Sequence, residues 1–197
     1  MTKTALAPRI VLVTGASSGI GLATAERFAA AGDIVYGLSR HPVETSGIRS
    51  IAADITSDGE VRAAVSRILS ECGRIDVLVN NAGFGISGAI EFTDMDEIRR
   101  QFDVNLFGTV RCIQAVLPAM REEHGGCILN LSSVAGVLPI PFQSFYSAVK
   151  ASVNALTLTL QNELRPYGVR VAAMLPGDVK TGFTAAREKN CKGAEVY

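Results

Sequence analysis

The sequence predicts a three-layer α/β fold, in which helices cover both faces of one parallel, doubly wound sheet. Three observations support this class. Short apolar runs alternate with longer segments of helical periodicity along most of the 197 residues. A glycine-rich turn joins the first apolar run to the first helical segment. The hydrophobic share of 48% suffices for a substantial core, so we expect a single domain over residues 1–197.

Six apolar runs are predicted as buried parallel strands joined by right-handed crossovers. The connection between the second and third runs, from Arg40 to Arg49, is shorter than the roughly dozen residues of an ordinary parallel crossover. We therefore expect a helical turn or a loop there. The six runs are RIVLVTG (9–15), DIVYGLSR (33–40), IRSIAAD (48–54), RIDVLVNNAG (74–83), GCILNLSS (126–133) and GVRVAAMLPG (168–177).

Residue signals at helix ends define the first two helices. The segment GIGLATAERFAAAGD is closed by Gly32, at the position that favours a left-handed residue. Ser57 and Glu60 have the spacing of a capping box, and the apolar stripe that follows them ends at Gly73.

The later helices have less distinct ends. Thr93 with Asp96 resembles another helix start, and helical periodicity continues to about Glu123. We expect an irregularity before Pro118, because proline removes a backbone donor. The last helix runs to about Arg165.

Composition excludes several classes of function. The 19 basic and 19 acidic side chains balance, so we expect no nucleic-acid partner. The opening MTKTALAPRI has no signal-peptide core, and no run approaches the roughly 18 apolar residues of a membrane span. We therefore expect a cytoplasmic protein.

The cysteines show no CxxC spacing and no nearby histidine, so we expect reduced, mostly buried thiols and no metal site. They are Cys72, Cys112, Cys127 and Cys191.

The glycine-rich turn TGASSGIG, from Thr14 to Gly21, lies where the first strand becomes the first helix. Its backbone amides and the positive helix end suit a phosphate group. Gly15, Gly19 and Gly21 would permit a tight turn, close approach of a ligand and helix packing, although the spacing differs from GxGxxG. We predict a nucleotide phosphate site here.

The same letters also match the G-x-S-x-G turn of a hydrolase, through Gly15, Ser17 and Gly19. A serine nucleophile needs a histidine on its own side of the sheet. His124 falls at the opposite edge, and His41 precedes every acidic residue that could complete the hydrolase order Ser, Asp, His. Nucleotide binding is therefore the better interpretation.

The tip of the second strand distinguishes two nucleotide cofactors. An acidic residue there would bind the ribose 2'-hydroxyl of NAD, whereas this chain has Ser39 and Arg40. The planar guanidinium of Arg40 suits the 2'-phosphate of NADP. The alternative is a solvated arginine at the start of a loop. We predict NADP(H) in preference to NAD(H).

Tyr146 and Lys150 are four residues apart, so on a helix they share one face. A phenol with an ordinary pKa of about 10 is a useful general acid near neutrality only if that pKa is lowered, as a neighbouring ammonium does. A lone YxxxK is often surface sequence. Here, however, Ser133 ends the fifth strand at the carboxyl edge of the sheet, where such sheets bind ligands. We predict a catalytic site at this edge.

TGASSGIG, NNAG, Asn105, Ser133, YSAVK and PGDVKT together resemble, in order, the motifs of the short-chain dehydrogenase/reductase family over nearly the whole chain. The resemblance implies a Rossmann-type sheet and a homodimer or homotetramer. It also implies roles for four residues. Tyr146 would be the acid/base, and Ser133 would hydrogen-bond the substrate oxygen. Lys150 would bind the nicotinamide ribose and lower the pKa of Tyr146, while Asn105 would hold a water that relays protons.

The resemblance further implies which residues contact the cofactor. Asp54 would contact the adenine, residues 81–83 would lie beneath the adenine ribose, and residues 176–181 would border the nicotinamide. Structural alternatives stay open, because Asn105 could cap or kink its helix and Thr181 could start one. The implied set is Gly15, Ser17, Ser18, Gly19, Ile20, Gly21, Ser39, Arg40, Asp54, Ile55, Asn81, Ala82, Gly83, Tyr146, Lys150, Pro176, Gly177, Val179 and Thr181.

We thus expect an NADP(H)-dependent oxidoreductase that interconverts a ketone or aldehyde and an alcohol. The apolar loop AGVLPIPFQ between Ser133 and Tyr146 favours a lipophilic substrate. A catalytically weak NADPH-binding sensor or scaffold is the alternative.

The segment TAAREKNCKGAEVY (184–197) is polar and weakly patterned. We expect it to be the mobile stump of a substrate-covering loop, with the family's further strand and last helix missing.

Overall fold

The computed structural model describes residues 7–183, 187–193, 195 and 196. Its strands are β1 (Ile10–Thr14), β2 (Ile34–Ser39), β3 (Ile48–Ala52), β4 (Val77–Asn80), β5 (Ile86–Ser87), β6 (Gly126–Leu131), β7 (Val169–Met174) and β8 (Glu188–Lys189). Six of them form a parallel sheet in the order β3-β2-β1-β4-β6-β7. Each of the six lies inside one of the predicted runs. The strand order reverses beside β1, which opens a crevice at the carboxyl ends of β1 and β4.

Five α-helices in the described ranges pack around this sheet, namely α1 (Gly19–Ala30), α2 (Asp58–Cys72), α3 (Met95–Phe102), α4 (Gly108–Glu122) and α5 (Ser144–Leu164). Alternate residues of β1 belong to two separate cores. Leu12 packs with residues of α2 and α4, whereas Val11 and Val13 pack with residues of α1. The predicted three-layer α/β class is therefore confirmed. None of these helices has the length and apolar character needed to cross a bilayer.

The start of α2 follows the predicted capping signal with one difference. Ser57 Oγ accepts a hydrogen bond from Glu60 N at 3.3 Å, and Gly73 ends the helix with a φ of 78°. The carboxylate of Glu60, however, accepts from Asp54 N at 2.9 Å, because Ser57 N already donates to the Asp54 carbonyl. Glu60 thus connects the helix start to the residues that follow β3.

The cap of α3 lies one residue later than the predicted Thr93. Asp94 is the N-cap residue, and Glu97 accepts a hydrogen bond from Asp94 N at 3.1 Å. The hydroxyl of Thr93 instead donates to the Ala89 carbonyl at 2.9 Å, so it is not available to cap the helix.

A π-helical turn at Asp103–Phe107 separates α3 from α4. The expectation of an irregularity close to Pro118 is therefore wrong in position, because Pro118 lies inside α4. The π turn contains Asn105, whose side chain is bonded to the loop after β4, and such wide turns are frequent at functional sites.

The connection between β2 and β3 is a loop, as one of the two predicted alternatives required. Val43 anchors it, since its side chain is 7% exposed and its N–H donates to Ser50 Oγ at 2.9 Å.

Residues 187–193, which we call the C-terminal segment, lie against α3 and the loop before it. Glu188 N donates to the Gly85 carbonyl at 3.0 Å, where β8 pairs in parallel with β5. The carboxylate of Glu188 forms an ion pair with Arg100, and Lys192 forms one with Asp94. We expected a mobile stump over 184–197. Residues 187–193 form these contacts, residues 184–186, 194 and 197 lie outside the described residues, and the expected mobility stays a prediction.

Candidate active site

The glycine turn lies at the carboxyl end of β1 and begins α1. Gly15 and Gly19 have φ values of 65° and 56°, a left-handed region that favours glycine. Gly15 N donates to the Leu38 carbonyl at 2.8 Å, which joins the turn to the end of β2. Ser17 and Ser18 are exposed at the start of the helix. The turn therefore presents backbone donors and hydroxyls at a positive helix end.

Asn81 and Thr14 join this turn to the loop after β4. Thr14 Oγ1 accepts hydrogen bonds from Asn81 N and Ala82 N, both at 3.0 Å. Asn81 Nδ2 donates to the carbonyls of Thr14 and Gly15 at 3.0 and 3.2 Å. A Cβ on Gly21 would lie 2.3 Å from both Asn81 Nδ2 and the Gly15 carbonyl, so the close packing at this position requires glycine.

The residues of this crevice fit a dinucleotide. A Cβ added to Gly19 would meet only Thr181, at 3.7 Å, so the turn is open where a phosphate would approach. Ile20 is half-buried behind it. Free backbone donors at a helix N-terminus, with space in front of them, are the arrangement that binds a nucleotide phosphate.

Arg40 and Asp54 lie beyond the ends of β2 and β3. Arg40 is exposed, and its positive charge contributes to lowering the pKa of Asp54. Asp54 Oδ1 accepts from the N–H and the hydroxyl of Thr56, both at 2.8 Å. Burial opposes ionisation of Asp54, but the Thr56 hydrogen bonds and the charges of Arg40 and Arg111 outweigh it and lower its pKa. A cation and a carboxylate thus face the place predicted for the adenosine end.

Ser39 and Ile55 take structural positions at the same edge. Ser39 is 8% exposed, and its hydroxyl donates to the His41 carbonyl. Ile55 is 7% exposed and packs on Gly108, where an added Cβ would lie 2.6 Å from the Ile55 side chain. Their predicted contacts with a cofactor stay predictions.

Asn105 is buried, at 1% exposure, and uses its amide to hold the loop after β4. Its Oδ1 accepts from Phe84 N at 3.0 Å, and its Nδ2 donates to the Phe84 carbonyl at 2.8 Å. A Cβ on Gly83 would lie 2.4 Å from Asn105 Oδ1, so this contact also needs a glycine. The backbone carbonyl of Asn105 accepts from Thr109 Oγ1 at 3.0 Å. The predicted role in holding a relay water stays a prediction.

Ser133, Tyr146 and Lys150 are buried together where β6 ends against α5, with exposures of 9%, 8% and 6%. Lys150 Nζ donates to the Leu131 carbonyl at 2.7 Å and lies 5.8 Å from the centre of the Tyr146 ring. Ser133 Oγ accepts from Ala135 N at 3.1 Å, which leaves its own proton available for another partner. The structure therefore brings together the serine, phenol and ammonium that the sequence analysis singled out.

Burial dominates the acidity of this centre. It raises the pKa of Tyr146, and this effect exceeds the lowering by the Ser133 hydrogen bond and the positive charge of Arg187. It also lowers the pKa of Lys150 to about 8. The expectation that Lys150 lowers the pKa of Tyr146 is not met in this structure, because the ammonium is directed to the Leu131 carbonyl and desolvation outweighs the opposing effects.

The segment after β7 completes the rim on this side of the crevice. The Pro176 carbonyl accepts from Val134 N at 3.1 Å, so this segment is connected to the turn that follows Ser133. Gly177 and Val179 are exposed beside it. Their predicted contacts with a nicotinamide stay predictions.

Comparison with known proteins assigns the chain to a family. The family model described as short chain dehydrogenase matches residues 9–192. The chain belongs to the short chain dehydrogenase family. The 3-ketodihydrosphingosine reductase of Bacteroides thetaiotaomicron is 48% identical over 181 residues, which cover 91% of this chain and 67% of that protein. The family predicted from the motifs is therefore confirmed.

Solved structures of other short chain dehydrogenases have the same fold. The 3-ketoacyl-(acyl-carrier-protein) reductase from Brucella melitensis, complexed with NADH, matches with a TM-score of 0.87 at 32% identity, over 91% of this chain and 79% of that one. ElxO with NADP bound matches with a TM-score of 0.85 at 30% identity, over 88% of this chain and 75% of that one. Solved relatives of this dehydrogenase thus bind either nicotinamide cofactor.

A polar network beneath the dehydrogenase site was missed as a unit. Asn80 Nδ2 donates to Asn130 Oδ1 at 2.9 Å, and Asn130 Nδ2 donates to Thr157 Oγ1 at 3.0 Å. Thr157 in turn donates to the Val153 carbonyl at 2.7 Å, which links the ends of β4 and β6 to α5. The sequence could have predicted this network from two asparagines at or near the ends of neighbouring strands. Asn80 and Asn130 are paired in the register of β4 and β6.

Phe183 and Arg187 were also missed. The Phe183 ring lies 5.9 Å from the Tyr146 ring, centre to centre, at an interplanar angle of 48°. The same ring would lie 3.5 Å from a Cβ on Gly85, and Arg187 Nε would lie 3.6 Å from it. The polar pattern that follows Phe183 gave no indication that Phe183 packs near Tyr146 or that Arg187 approaches Gly85.

Proposed function

We propose that this short chain dehydrogenase reduces a lipophilic ketone to a secondary alcohol with NADPH. One observation carries the proposal, namely the burial of Ser133, Tyr146 and Lys150 together at the carboxyl edge of the sheet, beside the open glycine turn. A donor that polarises a carbonyl oxygen and a second donor that protonates it complement the negative charge that develops on that oxygen.

The chain's own residues supply the proton chemistry. Bound NADPH would supply the hydride that attacks the carbonyl carbon. Ser133, whose hydroxyl proton is available, donates to the carbonyl oxygen, and the phenol of Tyr146 gives that oxygen its proton. Lys150, whose ammonium lies 5.8 Å from the centre of the Tyr146 ring, would bind the nicotinamide ribose, as the resemblance to the family implied. The reductive direction requires a protonated Tyr146; burial raises its pKa, which opposes release of the proton, while the Ser133 hydrogen bond and the charge of Arg187 lower it.

The preference for NADP(H) rests on Arg40. Its guanidinium is exposed at the end of β2, and in the described part of the chain it forms no ion pair. A bidentate guanidinium at this position suits a 2'-phosphate. The residues that would hold the rest of the cofactor are the glycine turn, Asp54, residues 81–83 and the segment after β7.

The lipophilic substrate class rests on the loop between Ser133 and Tyr146. Val137, Leu138 and Phe142 are exposed by 62%, 70% and 51%, so the loop that joins two residues of the candidate site offers an apolar surface. Phe142 adopts a φ of 60°, an uncommon backbone state for a bulky residue, and such strain is found at functional sites. The relative named 3-ketodihydrosphingosine reductase supports a long-chain ketone as the substrate.

A panel of ketones and aldehydes mixed with the protein and NADPH tests the proposal. Loss of the absorbance of reduced nicotinamide with long-chain ketones, and little loss with short polar ones, is the expected result. NADPH binding without oxidation of any member of the panel would favour the alternative function, a binding sensor or scaffold.

The cellular setting is part of the same proposal. We infer a cytoplasmic protein that forms a dimer or a tetramer, as the resemblance to the family implied. Phe107 and Leu158 support this assembly, because they are apolar and exposed by 50% and 62% on the outer surface of the π turn and α5. Sedimentation analysis of the purified protein measures the state directly.

A further inference from the structure

We propose that Arg187 binds an oxygen acceptor of the substrate beside the reacting carbonyl, so that the substrate is an amphipathic ketone with a polar oxygen group near that carbonyl. The inference rests on the proposed reduction of a lipophilic ketone. It adds a specificity-determining residue from the C-terminal segment, outside the Ser-Tyr-Lys centre.

Arg187 lies beside Gly85 and Phe183. It begins the C-terminal segment, directly before the residue that pairs with Ile86. Its Nε and the ring of Phe183 both approach the same side of Gly85, at 3.6 and 3.5 Å from the place where a Cβ would lie. The Phe183 ring, which approaches the same place as Arg187, lies 5.9 Å from the ring of Tyr146, centre to centre.

This cation lacks a partner among the described side chains. Two other cations at this surface are neutralised, Arg100 by Glu188 and Lys192 by Asp94. Arg187 is half-buried, and no hydrogen bond or ion pair joins it to another residue in the part of the chain that the structure describes. A guanidinium has five N–H donors, so those of Arg187 are free to bind the acceptor atoms of a ligand.

The positive charge of Arg187 also acts on Tyr146, where it opposes part of the rise in pKa that burial causes. A positive charge that stabilises the ionised phenol also attracts an oxygen atom of a substrate bound next to that phenol. The candidate site thus has an exposed apolar loop, with Leu138 and Phe142, and a cation, Arg187, beside the Phe183 ring that packs near Tyr146. This arrangement selects a substrate with an apolar chain on one side of the carbonyl and an oxygen acceptor on the other, and it disfavours a permanently cationic head group.

A matched pair of substrates tests this inference. The probes are a medium-chain 1-hydroxy-3-ketone and the same 3-ketone without the hydroxyl, each assayed by NADPH oxidation. We expect kcat/KM to favour the hydroxy ketone by roughly tenfold to a hundredfold, because a site built to bind an oxygen group rejects the analogue without it. In Arg187→Met this ratio should fall to about one, and in Arg187→Lys it should be intermediate.

Lys189→Met is the control, because it removes an exposed cation from the same segment and should leave the ratio as in the wild type. The inference is overturned if the wild type shows no preference, if Arg187→Met keeps it, or if that variant loses activity on both ketones to the same extent. Failure of the proposed function is a different result, in which neither ketone oxidises NADPH in the wild type.

Discussion

The side-chain amide of Asn105 forms two hydrogen bonds with the backbone of Phe84, accepting from its N–H and donating to its carbonyl. The π turn is thereby fixed to the loop after β4. The ring of Phe84 also lies 4.6 Å from the guanidinium of Arg100, which pairs with Glu188 of the C-terminal segment. One loop therefore contacts both the predicted relay residue and the segment that places Arg187 near Tyr146.

Asn105→Asp tests the first of these contacts. The variant keeps the size and one acceptor, but it cannot donate to the Phe84 carbonyl, which then faces a carboxylate. We expect a loss of about 2 kcal/mol in the free energy of unfolding, because a buried acceptor loses its partner. Urea denaturation measures it. Asn162→Asp on the exposed side of α5 is the control, and equal stability of Asn105→Asp and wild type would refute the structural role.

Gly21→Ala tests the packing under the glycine turn. The added Cβ would lie 2.3 Å from Asn81 Nδ2 and the Gly15 carbonyl, so the turn has to move and NADPH binding should weaken by at least about tenfold. Titration calorimetry measures the affinity. Gly59→Ala in α2, where a Cβ meets nothing within 4 Å, should bind NADPH as the wild type does. Unaltered affinity in Gly21→Ala would show that the crevice does not depend on this contact.

The elements that the sequence predicted well are those with local signals. All six sheet strands lie inside apolar runs, and α2 ends at the glycine that its stripe indicated. A kink at Asn105 was only one open alternative and a π turn was not predicted, because its partner Phe84 is 21 residues away and helical periodicity continues through the turn. The pairing of β5 with β8 was missed for a similar reason, since strands of two residues have no pattern of their own.

The sequence predicted that Ser133, Tyr146 and Lys150 lie together, but it did not predict their electrostatics. The spacing of Tyr146 and Lys150 shows that they share a helix face. It does not show that both are more than nine-tenths buried or that Lys150 Nζ donates to the Leu131 carbonyl. Burial raises the pKa of Tyr146, where the sequence predicted a lowered one. The spacing of two residues cannot predict this effect, because burial depends on the whole fold.

Lys150→Met tests the burial of the ammonium through its effect on stability. Burial lowers the pKa of Lys150 from 10.5 to about 8, so between these pH values the unfolded chain binds more protons than the folded one. The cost of the buried charge is full below pH 8 and is relieved as the pH rises towards 10.5. Relative to Lys150→Met, the wild type should therefore gain stability across this window.

Urea denaturation at several pH values measures that difference. Other groups titrate in the same range, so the comparison is made between variants rather than on the wild type alone. Lys180→Met removes an exposed lysine and serves as the control. Parallel stability profiles of wild type and Lys150→Met would contradict the lowered pKa.

Arg40→Ala tests the cofactor preference. Loss of the guanidinium should weaken NADPH binding by about tenfold to a hundredfold, since a charged hydrogen-bonding partner of the 2'-phosphate is removed, and it should leave NADH binding nearly unchanged. Titration with each cofactor gives the two affinities. Arg62→Ala, on the exposed side of α2, should change neither. Equal NADPH affinity in Arg40→Ala and wild type would remove the basis for preferring NADP(H).

The central claim is that Tyr146 gives the reacting oxygen its proton, and the rate of ketone reduction by Tyr146→Phe tests it most directly. The variant keeps the ring that packs near Phe183 and loses only the hydroxyl. With NADPH affinity and the stability of the fold shown to be unchanged, and with Tyr167→Phe as the control, we predict a fall in kcat of roughly a hundredfold to ten-thousandfold. Turnover of Tyr146→Phe at the wild-type rate would contradict the account.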